Sequence, residues 1–351
     1  SRAAAAGGVT SIMDMPNTNP LTVTLDALNA KLDLLNEKCI VNHSCYFGAT
    51  NNNYTEFDKL DKHRVCGIKL FMGSSTGNML VDKMNSLLNI FNGTDMLIAA
   101  HCEDQETIKN NIEKYKQKYK GADDIPVSAH PSIRSVPACY ASSELAVRLA
   151  KIAGARLHIL HVSTAKELQL FSDEPLANKN ITAEACVAHL LFTLTHYNSL
   201  GARIKCNPAV KRKTDREALR TAVNSGLIDV IATDHAPHSE EDKLKGMAGM
   251  VGSETAFGVC YTKLCKQEGL PLELLVHLMS TRPAEILGLA KGQLEPGFDA
   301  DFVLVDLDTP YMVEKEKLHS KSHNTPFDGA QLYGKVFATI KAGKITYQAE
   351  E

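Results

Sequence analysis

DVIATDHAPH, residues Asp229–His238, is the stretch whose reading decides the fold. Val230-Ile231-Ala232 is an apolar run too short for a helix and bounded by polar residues, so it reads as a buried strand. Thr233, Asp234, His235 and His238 follow in one burst, and Pro237 stops the strand from continuing. An acid and two imidazoles just past the carboxyl end of a strand stand where an α/β barrel keeps its chemistry. Taken alone, the stretch fits a helix cap with solvated loop histidines equally well, because loops are polar for ordinary reasons too.

Outward from it, strand-like runs recur at Gly8–Met15, Ile40–Ala49, Cys66–Met72, Met96–His101, Leu157–Val162 and Ile181–Val187. With Val230–Asp234 that makes seven. Helical patterns fill several gaps: Leu25–Lys38 places Leu28, Leu32 and Leu35 on one face, and Ser142–Ala153 does the same with Leu145, Leu149 and Ile152. Alternating β and α elements over this length predict a parallel sheet, closed as an α/β (β/α)8 TIM barrel, over residues 1–290. Eight strands are needed. The chain opens on SRAAAAGGVTSIMDMP, without an initiator Met and with an element already under way, so the expected first strand is assigned upstream of Ser1 and the seven count as strands 2–8. Residues 291–351 change character: GQLEPGFDADFVLVD and the hairpin KVFATIKAGKITY about Ala342-Gly343 predict the C-terminal part of a small β-sandwich. Leu318–Gly329 reads as an ordered loop.

Composition narrows the function classes. Lys and Arg number 38 against 41 Asp and Glu, a net charge of −3 with His neutral, so nothing electrostatic favours nucleic acid or an anionic membrane. No apolar run approaches a membrane span. Nine cysteines, an odd number without a CxxC pair, suggest neither a disulfide framework nor a Cys-rich zinc site, and a reducing cytoplasm is the simplest setting. A homodimer is the base-rate expectation for assembly.

Strand ends carry the candidate chemistry. His101 closes the fourth run, His161 lies in the fifth, Asp234 closes the last, and Asn17 follows the first in Met15-Pro16-Asn17-Thr18. One histidine at a strand end is more often structural than a ligand. Two, with an acid, each on a different strand, converge on one mouth. Lys69 lies between Ile68 and Leu70 inside a central strand. A charged amine there is expensive unless it reaches water or a carboxylate. Alternatively burial lowers its pKa, and a neutral lysine amine can take up CO2 as a carbamate able to bridge two metal ions. His, Asp and carboxylate donors around an open position suit a hydrolytic divalent ion such as Zn2+.

These residues lie in GGVTSIMDMPNT, GIKLFMGSS, AAHCED, LHILHVST, ATDHAPH, STRPAEILGL, GQLEPGFDADFVLVD and NTPFDGAQLYGKV. In order and spacing these motifs resemble the amidohydrolase superfamily almost end to end, within the branch of dihydroorotases, allantoinases and dihydropyrimidinases or hydantoinases. The dihydroorotases are resembled most, Asn17 being the discriminating feature. The resemblance implies hydrolysis of the cyclic amide of dihydroorotate, or cyclisation of N-carbamoyl-aspartate in pyrimidine biosynthesis. It implies two divalent metal ions, most simply Zn2+, with Lys69 carboxylated by CO2 as their bridge. His101 and His161 resemble ligands of the second metal, and Asp234 the catalytic acid that binds the first and shuttles the proton. Asn17, Asn207 and His238 resemble substrate-binding residues, and Ser75 and Thr76 fall on a lid loop. Glu184 and His189 suit a supporting role or plain packing. The family's first strand carries a His-x-His pair and then an arginine; no histidine precedes His43 here, so those groups are expected upstream of Ser1, and activity is expected to need them. A ring without the carboxylate, or a metal-free scaffold, are the alternatives this pattern leaves open.

Overall fold

The structure, a computed structural model, describes residues 1–73, 79–121 and 125–350. Seven parallel strands form one curled sheet, a half-barrel, in chain order: β1 Ser11–Asp14, β2 Asn42–Gly48, β3 Val65–Phe71, β4 Ile98–His101, β5 Leu157–Ile159, β6 Ile181–Cys186 and β7 Val230–Ala232. Neighbours pair in sequence with helices crossing between them, the order that right-handed crossover connections produce. β3 is buried from Gly67 to Phe71 and β4 throughout, as parallel strands covered on both faces must be. Phe47, Ile68, Leu70, Ile98, Leu157 and Ile159 form part of one continuous core beneath the helices. Gly67 is required where it stands: a Cβ there would meet the Leu97 carbonyl and lie 3.1 Å from the Tyr46 ring.

The helix Leu25–Lys38 forms over the expected residues, capped by the Thr24 hydroxyl, and buries Leu28 and Leu32. The second expected helix begins earlier, at Val136 with a proline in its first turn, and ends at Gly154 in the left-handed conformation. Its buried stripe differs from expectation. Ile152 is 71% exposed, while Ala138, Cys139, Ser142, Ser143, Ala146 and Ala150 face the core with Val147 and Leu149. Small residues let the helix approach the sheet closely, so the seat went to Ala and Ser rather than to the largest side chains. Strand limits are also shorter than the apolar runs: β5 stops at Ile159 and β7 at Ala232, leaving His161 and Asp234 on the chain just beyond.

At the opposite end of β7, Asp229 is buried and ties the floor of the sheet together. Its Oδ1 accepts from Lys179 Nζ at 2.8 Å and Arg282 Nη1 at 3.4 Å, and its Oδ2 from the Ala183 backbone N–H at 2.9 Å.

The C-terminal segment forms two small antiparallel sheets: β8 Phe302–Asp306 with β11 Lys335–Lys341 and β12 Lys344–Gln348, and β9 Tyr311–Met312 with β10 Gln331–Leu332. The β11–β12 hairpin turns at Ala342 and Gly343, both at positive φ. β11 rests on the N-terminal helix Arg2–Ala6, where the Thr339 hydroxyl donates to the Ala5 carbonyl at 2.6 Å. No helix among the described residues is long and apolar enough to cross a membrane.

Candidate active site

Lys69 stands in the middle of the sheet, opposite Gly48 on β2 and Ala99 on β4. It is 2% exposed, and its amine lies 4.4 Å from the centroid of the Phe71 ring. Burial pulls its pKa from 10.5 down to about 8, although the negative potential of Asp234 and Glu184 resists. A substantial share of this amine is therefore neutral near pH 8.

His101 ends β4 and lies in register with Phe71 at the end of β3. Its Nε2 is 3.0 Å from Glu103 Oε2. A carboxylate accepts, so Nε2 carries the proton and Nδ1 is left with a bare lone pair. That Nδ1 is 3.0 Å from Nε2 of His161, the rings meeting edge-on at 76°. Burial lowers the pKa of both imidazoles, His161 well below its ordinary value, which favours the neutral form of each. Neutral imidazole is the form that binds metals. Two nitrogens each 2.0–2.1 Å from one tetrahedral zinc ion stand about 3.3 Å apart, close to the spacing found here. Nδ1 of His161 is buried without a partner. These two histidines fit as ligands of one cation. Among the described residues, no three His, Cys, Asp or Glu side chains are gathered as a cation site.

Glu103, fully buried, also pairs with the Arg134 guanidinium. Burial alone would raise its pKa, but Arg134 and His101 outweigh that and hold it at about 2. Gly73 lets the chain leaving β3 lie on the Glu103 backbone, where any Cβ would overlap the Glu103 carbonyl. Glu184 on β6 accepts from the His161 backbone N–H at 3.2 Å and pairs with His158 Nε2 at 3.1 Å.

Asp234 follows β7. Burial, then Glu184, raises its pKa from 3.8 to about 7, with Lys69 opposing. The residue nonetheless keeps exposed surface, so protein crowds its carboxyl without sealing it from water. Asp234 (φ 45°) and His161 (φ 40°) are both non-glycine residues in the left-handed region. Such conformations cost about 1–3 kcal/mol each and cluster where function over-determines the backbone.

Asn17, Asn207 and His238 lie on segments outside the strands of the sheet. Asn207 is half-buried, in a segment whose Cys206 thiol feels Asp234. His238 lies on the loop after β7, its carbonyl held by Asn324 Nδ2 at 3.2 Å, which brings the NTPFDG loop to the same end of the sheet. Asn17 lies three residues beyond β1 and half-buried, next to Pro16, which packs beside Gly48. Ser75 and Thr76 lie outside the described residues. The sequence reading missed Glu103, Arg134 and His130; the signal for the first was its H-x-E spacing from His101 at a strand end. His189 bonds the Pro208 carbonyl through Nε2 at 2.9 Å and adds to the lowering of the His161 pKa.

A half-barrel with buried neutral histidines, a depressed lysine and a raised aspartate at the carboxyl ends of its strands is a hydrolytic arrangement. Residues 1–346 match the model of the Amidohydrolase family. The dihydroorotase of Clostridium botulinum (strain Eklund 17B / Type B) is 34% identical over 99% of this chain and 81% of its own length, and that of Bacillus licheniformis 33% over 99% and 81%. Among solved structures, the L-hydantoinase (dihydropyrimidinase) from Arthrobacter aurescens superimposes with TM-score 0.92 at 28% identity, over 99% of this chain and 79% of that one. The dihydropyrimidinase from Brevibacillus agri NCHU1002 shares the fold with TM-score 0.87 at 21% identity, over 99% and 78%. The chain belongs to the amidohydrolase family. Within it, the chain is a hydrolase acting on cyclic amides.

Proposed function

We propose that the cyclic amide is dihydroorotate, opened by water to N-carbamoyl-aspartate, and that the reverse ring closure serves pyrimidine biosynthesis. Lys69 as its CO2 carbamate, with His101, His161 and Asp234, would hold two divalent metal ions, zinc by donor type, whose chemistry is to acidify water and polarise a carbonyl. Asp234 takes the proton of the attacking water and returns it to the departing ring nitrogen, acting as base and then acid. Asn17, Asn207 and His238 hold the ring and its carboxylate in place for attack. Glu103 orients His101 from behind, which fixes the tautomer that presents Nδ1.

The observation that carries this reading is the His101 Nδ1–His161 Nε2 approach of 3.0 Å, with the far nitrogen of His101 held by a carboxylate. Likeness to dihydroorotases over 81% of their length supports the choice of ring. A reducing cytoplasm suits the nine cysteines. The test is metal content and dihydroorotate turnover of the protein expressed from its complete reading frame. Two metals per chain, with turnover abolished by a chelator and restored by zinc, is the expected result. The 0.92 TM-score neighbour supplies a second reading, a hydantoinase. Hydantoin and dihydrouracil lack the ring carboxylate, so turnover of these without dihydroorotate selects that reading, and turnover of none rejects both.

A further inference from the structure

His130 opens a short helical turn, His130–Ile133, between the helices Gln105–Tyr119 and Val136–Ala153. It is 8% exposed and belongs to no strand of the sheet. Its Nε2 lies 2.9 Å from the Cys206 carbonyl oxygen and 3.0 Å from a side-chain atom of Asn207. A carbonyl can only accept, so Nε2 carries a hydrogen. The Asn207 atom facing that hydrogen must also be an acceptor, which makes it Oδ1. The amide orientation of Asn207 therefore follows from chemistry, and its Nδ2 is turned away with no hydrogen-bond partner among the described residues.

The turn that carries His130 is braced. Asn111 Nδ2 donates to the Ile133 carbonyl at 2.9 Å, and Arg134, next in sequence, grips Glu103 behind His101. One five-residue stretch, His130–Arg134, thus reaches both the histidine pair and the Asn207 amide. Burial, with Arg134 adding to it, holds the His130 pKa at about 3, so the ring stays neutral and the tautomer is constant across the working range.

We propose that His130 is a positioning residue that locks the Asn207 side chain with its NH2 toward the substrate, so that the substrate atom meeting Asn207 is an oxygen acceptor and not an N–H. In a cyclic amide that atom is a ring carbonyl or a carboxylate oxygen. A free Asn would offer either end of its amide; a locked one discriminates. The inference rests on the assignment of Asn207 to the substrate site.

The experiment is a double-mutant cycle on the protein from its complete reading frame, reading KM and kcat for dihydroorotate. His130→Ala is expected to raise KM about 3- to 10-fold, the worth of one hydrogen bond, with kcat within about twofold. His130→Gln, whose amide nitrogen reaches as far as Nε2, is expected to restore KM, and His130→Asn, one bond shorter, is not. In an Asn207→Ala background, His130→Ala should have no further effect on KM. An equal rise in both backgrounds, or a fall in kcat with KM unchanged, overturns the proposal. A KM unmoved by Asn207→Ala alone instead removes Asn207 from the substrate site, which separates the two failures. Should the alanine variant not fold, the Gln and Asn variants give the same comparison, and equal KM values for them overturn the proposal.

Discussion

Replacing Asp234 by Asn keeps the shape of the side chain and removes its capacity to take a proton. Turnover should fall by about 10²- to 10⁴-fold, the usual contribution of a positioned acid–base group, with the melting temperature within a degree or two of wild type. Near-normal kcat for that variant would assign the proton to another group. Glu103→Gln acts differently, since it removes a charge on which both Arg134 and His101 depend. Zinc affinity should drop about 10- to 100-fold, read by competition with a chelator. Stability should drop by about 3–5 kcal/mol, read by denaturant titration, because a buried ion pair loses one partner. Lys69, His101, His161 and Asp234 were legible in the sequence because each breaks a local rule: a charge in an apolar strand, or an imidazole or acid where an apolar run stops. Glu103, Arg134 and His130 were not. They sit in polar loop and turn sequence where such residues are ordinary, and only the folded distances show which side chain each one holds.

The helix Val136–Ala153 shows how an element can be recognised and its orientation missed. Its periodicity marks a helix, but large apolar residues do not mark its buried face, because the tight seat against the sheet admits Ala, Ser and Cys. Ile152→Lys should therefore change stability by less than about 0.5 kcal/mol, as surface substitutions do. Ala146→Leu, at a fully buried position, should cost about 1–3 kcal/mol through overpacking. Chemical denaturation of the two variants side by side checks the pair, and a costly Ile152→Lys with a harmless Ala146→Leu would reverse the assigned face. Strands were easier to read. β3 and β4 are near-continuous apolar runs because a parallel sheet covered on both faces leaves no polar side. The run Leu157–Val162 outlasts its strand: paired register ends at Ile159, while the Leu160 and Val162 N–H groups still bond the Ala100 and Glu184 carbonyls.

Across the whole molecule, mild acid should cost stability at buried imidazoles, well above the pH at which ordinary exposed carboxylates are neutralised. His130 and His189 are buried, with pKa values lowered to about 3 and about 4, against 6.5 in an unfolded chain. Their folded forms resist protonation, so stability is complete above pH 6.5 and is lost as pH falls from there toward those lowered values. At pH 5.5 each contributes a loss of about 1 kcal/mol. Asp234, with its pKa raised to about 7, contributes in the opposite sense over this window, so the His130 share is read as the part of the pH 7.5-to-5.5 difference in denaturation midpoint that His130→Gln removes. β7 itself is a three-residue strand with Asp229 directly before it and Asp234 two residues beyond its end. The lower acid is fixed by two cations and a backbone N–H, and the upper one is free to exchange protons. Loosening the lower fixture would free the strand leading to Asp234 while most of the core stayed intact. Weakening the floor by Asp229→Asn is then expected to bring the loss of activity to a lower temperature than the loss of helix signal, which parallel activity and circular-dichroism melts check.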